Sequence, residues 1–396
     1  MKRNHATAAY ALTQISIWGT YGFLFTYANP YMTEKLGLSD TLAGWLLCLA
    51  TALACLLQPL LTAVADRTRW NVRRILLCSG VLTALCAGLT LLPGLSTAAY
   101  AVLFASACVF LQIQPSFSNA LGMEGIHGGM HINFAVARGI GSVSFGVAAK
   151  LAALLIGVMG MNGASLLGAA SSLLLVAAVL LMPKGRRLVA KAEEAPTSAR
   201  EFFQESPKMA VLLVGIMLLY VGHNVLSNCM FRIAQWKVAG GDNATSVQGT
   251  AMMIAAVVEL PTMFLFTKLV KRFRCDLLVV AACLFMTLRI VLSILLPGQW
   301  GLYLAQLAQV PGYALFAVST DYYVDTVVPK RNVVKGQTYL GVANTLGGLL
   351  AFALGGSLID AIGVPWMLAV CAGLSALGLF LAGLSLERVE RTVGAA

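Results

Sequence analysis

"PKGRRLVAKAEEAPTSAREFFQESPK", residues 183–208, is the one long polar stretch in a chain that is otherwise apolar nearly throughout. It is charged and proline-interrupted, and its "REFF" (200–203) has the look of one amphipathic helical turn. On its N-terminal side lie six runs long enough to cross a bilayer, at 9–29, 41–65, 75–94, 98–121, 133–159 and 164–182. Six more follow, at 209–231, 247–270, 276–296, 300–324, 337–361 and 366–386. About 20 apolar residues span the hydrocarbon as a helix, so these runs predict twelve transmembrane spans, numbered here 1 to 12. The polar stretch is then a linker between an N-terminal half, 1–182, and a C-terminal half, 209–396.

Composition points the same way. Of 396 residues, 59% are hydrophobic and 11% charged, and mean hydropathy is +0.83. A soluble domain carries about 25% charged residues, so this chain has too little polar surface to cover itself in water. The net charge of +11 would suggest nucleic acid only if it formed one folded face. It lies instead in clusters between apolar runs, which argues against a nucleic-acid partner and for a lipid bilayer. With twelve spans, 21 of the 27 Lys and Arg fall on the face shared by the termini and linker, against Lys35, Arg232 and Lys237 on the other. The positive-inside bias therefore places both termini in the cytoplasm of a plasma or inner-membrane protein. The nine cysteines lie in apolar runs without a CxxC pair, so no disulfide frame, metal site or cofactor is expected. No phosphate-binding loop and no hydrolytic or redox constellation appears, so no enzyme is expected.

The halves repeat at a nearly constant offset. "LLPG" at 91–94 returns at 295–298, "VARGIGS" at 136–142 aligns with "VANTLGG" at 342–348, and Gly157 aligns with Gly363. Two six-span halves in parallel repeat describe the major facilitator fold, an all-α membrane architecture. In that fold solute binds near mid-membrane where the halves meet.

Ionised groups inside spans cost a few kcal/mol each and mark functional positions. Glu259 in span 8 and Arg289 in span 9 both fall roughly 18–20 Å from their own membrane side at 1.5 Å per residue. An ion pair between them is one reading, and a titrating carboxylate is the other. Arg138 in span 5 has no acidic neighbour in sequence, and Ser142 and Phe145 follow it at i+4 and i+7 on one helical stripe. That stripe suits a polar ring, while the alternative is a guanidinium bound to backbone carbonyls or headgroups. Trp18, Tyr21, Asn119, Asn224, Asn228, Gln306 and Gln309 are further candidates to contact solute, and His223 to titrate. Lys150 is expected to snorkel, and the glycines of span 11 to serve close helix packing.

With these residues placed, the chain resembles the lactose-permease and nucleoside-permease branch of the major facilitator superfamily. "ADRTRWNVRR" (65–74) resembles its gating loop, keeping Asp66, Arg67, Arg73 and Arg74 but lacking both glycines. "LTQISIWGTY" (12–21) and the stripe Arg138, Ser142, Phe145 resemble the nucleoside permeases. The resemblance implies solute contact for Arg138, substrate or proton binding for Glu259, and tuning of the proton site by Arg289. Two departures stand out. Asn119 or Ala120 replaces the acidic span-4 partner of lactose permease, and Gln306-x-x-Gln309 replaces its His-x-x-Glu. Glutamine does not titrate, so coupling falls to Glu259, with His223 as a helper. The expected function is proton-coupled import of a neutral hydrophilic solute, an oligosaccharide or nucleoside, by a monomer. A drug or metabolite efflux carrier and a non-transporting receptor are the alternatives.

Overall fold

The computed structural model describes residues 2–67, 71–183, 198–238 and 243–389, with side chains omitted at 2–5, 65–67, 127, 135, 263, 264, 267, 330 and 334. Among the described residues there are helices and no strands. Nine helices are long and apolar enough to cross a membrane. One of these, Lys335–Ser385, is 51 residues long. At 1.5 Å per residue that is about 75 Å, more than twice the hydrocarbon thickness of about 30 Å. It holds two spans, because Gly363 at φ 78° and ψ 168° turns the chain ahead of Pro365. Span 8 falls outside the nine because its helix is interrupted, and span 1 because its helix Lys2–Thr20, though 19 residues long, is too polar. The twelve spans are therefore all present.

The interruptions are local. Span 1 runs as Lys2–Thr20, then widens into the π-helical turns Tyr21–Phe25 and Tyr31–Lys35 on either side of Ala28–Pro30. Span 8 is two helices, Ala244–Val258 and Leu260–Arg272, meeting at Glu259, with Pro261 in the first turn of the second. Span 10 is Gly298–Gln306 followed by a tight turn, Leu307–Gln309, a wide turn, Val310–Ala314, and Leu315–Val327. Proline removes a backbone donor and disturbs the preceding turn, and Pro311-Gly312 does so here, with Gly312 non-helical at ψ −110°.

Helix ends follow capping rules. Asn71, Ser96 and Asn133 accept from backbone amides at the starts of spans 3, 4 and 5. The linker helix Ala199–Glu205 opens on a full capping box between Ser198 and Glu201, which holds the Glu201 carboxyl below its ordinary range. Phe202 of this helix is fully buried in the C-terminal core, stacked edgewise against Tyr339.

The repeat is visible in the turns. Gly94 and Gly298, the two glycines of "LLPG", both take the left-handed region, at φ 85° and 65°. The equivalent of Gly363 is Gly160 at φ 63°, three residues beyond the Gly157 that the sequence alignment selects. Gly157 itself lies inside the span-5 helix, Phe134–Met159.

The chain divides into two compact units, Met1–Ala190 with Asp242–Ala256, and Lys191–Gly241 with Val257–Ala396. The N-terminal half of span 8 thus groups with the first unit. In the second unit small residues carry the span 7 contacts. A Cβ on Gly347 would lie 2.5 Å from that of Tyr220, and one on Gly215 would lie 2.8 Å from the Gly378 carbonyl. The glycines of span 11 therefore do pack helices closely. The outer surface is apolar, with Val158 83%, Trp300 72% and Trp366 68% exposed, as a lipid solvent requires.

Candidate functional site

In the first unit the polar side chains of spans 1, 4 and 5 form one network. The Arg138 guanidinium lies 4.2 Å from the Trp18 ring centroid. Trp18 Nε1 donates to Gln14 Oε1 at 3.1 Å, and Gln14 Nε2 donates to Tyr10 Oη at 2.8 Å and Ser118 Oγ at 3.1 Å. Gly141 makes the arrangement fit, because a Cβ there would lie 2.6 Å from Trp18 Cδ1. One face of Trp18 is thereby taken by the cation. The indole is a platform that orients the fork of Arg138, and Gln14 fixes the indole. Tyr21 extends the aromatic row, its centroid 5.3 Å from Trp18. Ser142 and Phe145 are half-buried and Asn119 is exposed.

In the second unit the charges occupy two linked layers. Arg289 is 2% exposed. Its Nε and Nη2 donate to Gln306 Oε1, the former at 3.1 Å, and Nη1 lies 3.3 Å from His223 Nδ1. A guanidinium can only donate, so His223 must accept at Nδ1 and carry its proton on Nε2 when neutral. The imidazole stacks on Tyr313 at 4.3 Å and 10°. Glu259, at the joint of span 8, accepts from Gln309 Nε2 at 2.7 Å. One turn later Thr262 Oγ1 donates to the Val310 carbonyl at 2.9 Å, at the start of the widened turn of span 10. The interrupted stretches of spans 8 and 10 are therefore joined side by side.

The direct hydrogen-bond partners of Arg289 are thus Gln306 and His223, while the Glu259 charge acts on it electrostatically, as their similar depth suggested. The two glutamines, expected against solute, are buried on the charges instead: Gln306 is 0% and Gln309 4% exposed. Each uses its amide to replace what a charged partner supplies elsewhere, Gln306 as acceptor for a cation and Gln309 as donor to a carboxylate. Asn224 and Asn228 of span 7 are half-buried. Of the gating-loop residues, Arg73 donates to the Leu180 and Met182 carbonyls and closes the end of span 6. Arg74 is exposed, and the side chains of Asp66 and Arg67 lie outside the described residues.

Tyr313 and Thr262 are additions to the sequence-based set. The signal for them was Val310-Pro311-Gly312 inside an apolar span, a break that frees carbonyls and re-aims side chains.

Twelve spans, three of them interrupted beside or between polar side chains, describe a multi-pass membrane protein of the major facilitator fold. The MFS_1 like family matches residues 10–384, and the chain belongs to it. Maltose permease of Geobacillus stearothermophilus is 28% identical over 387 residues, covering 96% of this chain and 94% of the permease. The nucleoside transporter NupG has a similar structure, with a TM-score of 0.79 at 17% identity over 96% of this chain and 98% of that one. A peptide transporter, POT, solved with sulfate, gives a TM-score of 0.71 at 13% identity, covering 96% and 93%. At such identities the structural likeness speaks for the fold.

Proposed function

We infer that this transporter imports a neutral, hydroxyl-rich solute in symport with protons, as a monomer of the plasma or inner membrane with both termini in the cytoplasm. The observation that carries this reading is the half-buried carboxylate Glu259, hydrogen-bonded to a neutral amide and set at a helix joint. Such a carboxylate can take up and lose a proton, and the joint lets the change alter how span 8 meets span 10. Arg138, held on Trp18, presents donors to solute hydroxyls. Ser142 and Phe145 extend that wall, and Tyr21, Asn119, Asn224 and Asn228 supply further contacts.

An oligosaccharide is the favoured solute, supported by similarity to a maltose permease along nearly the whole of both chains. A nucleoside is the second reading, favoured by the stripe Arg138, Ser142, Phe145. The test is uptake of labelled maltose and labelled uridine into vesicles with an imposed pH gradient. Accumulation of one of them, abolished by collapsing the gradient, is expected. Gradient-independent equilibration would refute coupling, and expulsion from loaded vesicles would make the protein an exporter.

A further inference from the structure

Lys150, in the outer half of span 5, does not snorkel to water. Its Nζ donates to Ser246 Oγ at 3.0 Å and Thr250 Oγ1 at 2.7 Å, both on the outer half of span 8. Gln248, fully buried on the same segment, donates to the Thr26 carbonyl at 2.7 Å. That carbonyl lies just past the π-helical turn of span 1. The backbones approach closely: a Cβ on Gly249 would lie 2.8 Å from that of Ala153 and 2.9 Å from the Tyr27 hydroxyl. A Cβ on Gly146 would lie 3.0 Å from that of Ala256. Residues 244–256 thus belong to the first unit by packing, although they are continuous with a helix of the second. Immediately after them comes the joint at Glu259 and Pro261.

We propose that residues 244–256 form a detachable gate at the end of the protein opposite its termini, latched to span 5 by Lys150 and to span 1 by Gln248, and hinged at Glu259. The chemistry of the latch suits repeated opening. An ammonium between two neutral hydroxyls is held by directed hydrogen bonds, yet on release it leaves no carboxylate behind, and water replaces the hydroxyls. The segment itself has no ionised residue, so nothing on it resists hydration of its polar face. The inference rests on the transport reading and its orientation, and is independent of solute identity and of proton coupling.

The test uses the full-length transporter with its nine cysteines replaced by Ala or Ser and Val247→Cys as reporter, a site 2% exposed in the latched state. Labelling by a membrane-impermeant maleimide is followed in right-side-out and inside-out vesicles, normalised to labelling after denaturation. Lys150→Met should speed labelling about tenfold, the scale of one lost charge-assisted hydrogen bond, and Lys150→Arg should stay within about twofold. Ser246→Ala with Thr250→Val, which removes both acceptors of Lys150 and one local bond to the Ser246 carbonyl, should reproduce the rise without disturbing span 5. The rise is expected in right-side-out vesicles. Its appearance in inside-out vesicles alone would reverse the orientation and keep the latch. Parent-like rates for both variants in both vesicle types would overturn the proposal.

Discussion

Trp18→Leu separates a platform from a ligand. The substitution removes the ring 4.2 Å from the Arg138 guanidinium and the 3.1 Å hydrogen bond to Gln14. A cation over an aromatic face contributes about 1 kcal/mol at a half-buried site. If the ring acts by ordering Arg138, solute binding should weaken by that amount, about fivefold. Trp18→Phe keeps a π face and should lose about twofold. Arg138→Ala removes charge-assisted hydrogen bonds to solute, about 1.5–3 kcal/mol, and should cost at least tenfold. The deciding measurement is the double-mutant cycle, read by equilibrium binding of labelled maltose or uridine to purified protein. With Arg138 already Ala there is no cation left to order, so Trp18→Leu should then change affinity by less than about twofold, a coupling near 1 kcal/mol. Additive losses would show that Trp18 contacts solute itself, and the platform argument would be wrong.

Gly141→Ala should act like Trp18→Leu in the same binding assay, since its Cβ would take the place of the indole edge. Gln306→Leu leaves Arg289 buried without its main acceptor, costing about 3 kcal/mol. Thermal unfolding in detergent should shift down, while Gln306→Glu, which keeps an acceptor, should not. Phe202→Ser empties a fully buried site under the linker helix, a loss of about 3 kcal/mol, and should make the linker a faster protease target. The Ser198 bonds lower the Glu201 carboxyl. The stabilisation they give is therefore present above the unfolded carboxyl range and lost as pH falls through the lowered folded value. Proteolysis of the linker by an acid-active protease should rise across that window, and Glu201→Gln, which removes the titrating carboxyl, should flatten the rise.

The fold was legible because apolar length and charge clustering are set by the lipid itself. The paired "LLPG" turns at 91–94 and 295–298 needed no structure to be read. The turn glycine was misplaced by three residues, since Gly157 and Gly160 are equally apolar and only φ distinguishes them. Within the candidate site, the side chains that charge or aromaticity singles out were legible: Arg138, Trp18, Glu259, Arg289 and His223. Their partners were not. Gln306 looks like a solute ligand in sequence because a neutral amide in lipid needs some partner, and sequence does not say that the partner is Arg289. Tyr313 depends on the backbone break at Gly312, which redirects a side chain that a regular helix would place elsewhere. Lys150 was misread for a related reason. Its hydroxyl partners lie about a hundred residues away, and only three-dimensional packing brings Ser246 and Thr250 to it.

Proton movement tests the role of Glu259 most directly. Solute added to lightly buffered vesicles bearing the parent protein should alkalinise the medium as protons enter with it. Glu259→Gln should abolish that alkalinisation and gradient-driven accumulation, while exchange of labelled for unlabelled solute continues. Alkalinisation at the parent rate by the Gln variant would place the coupling proton elsewhere and contradict the account.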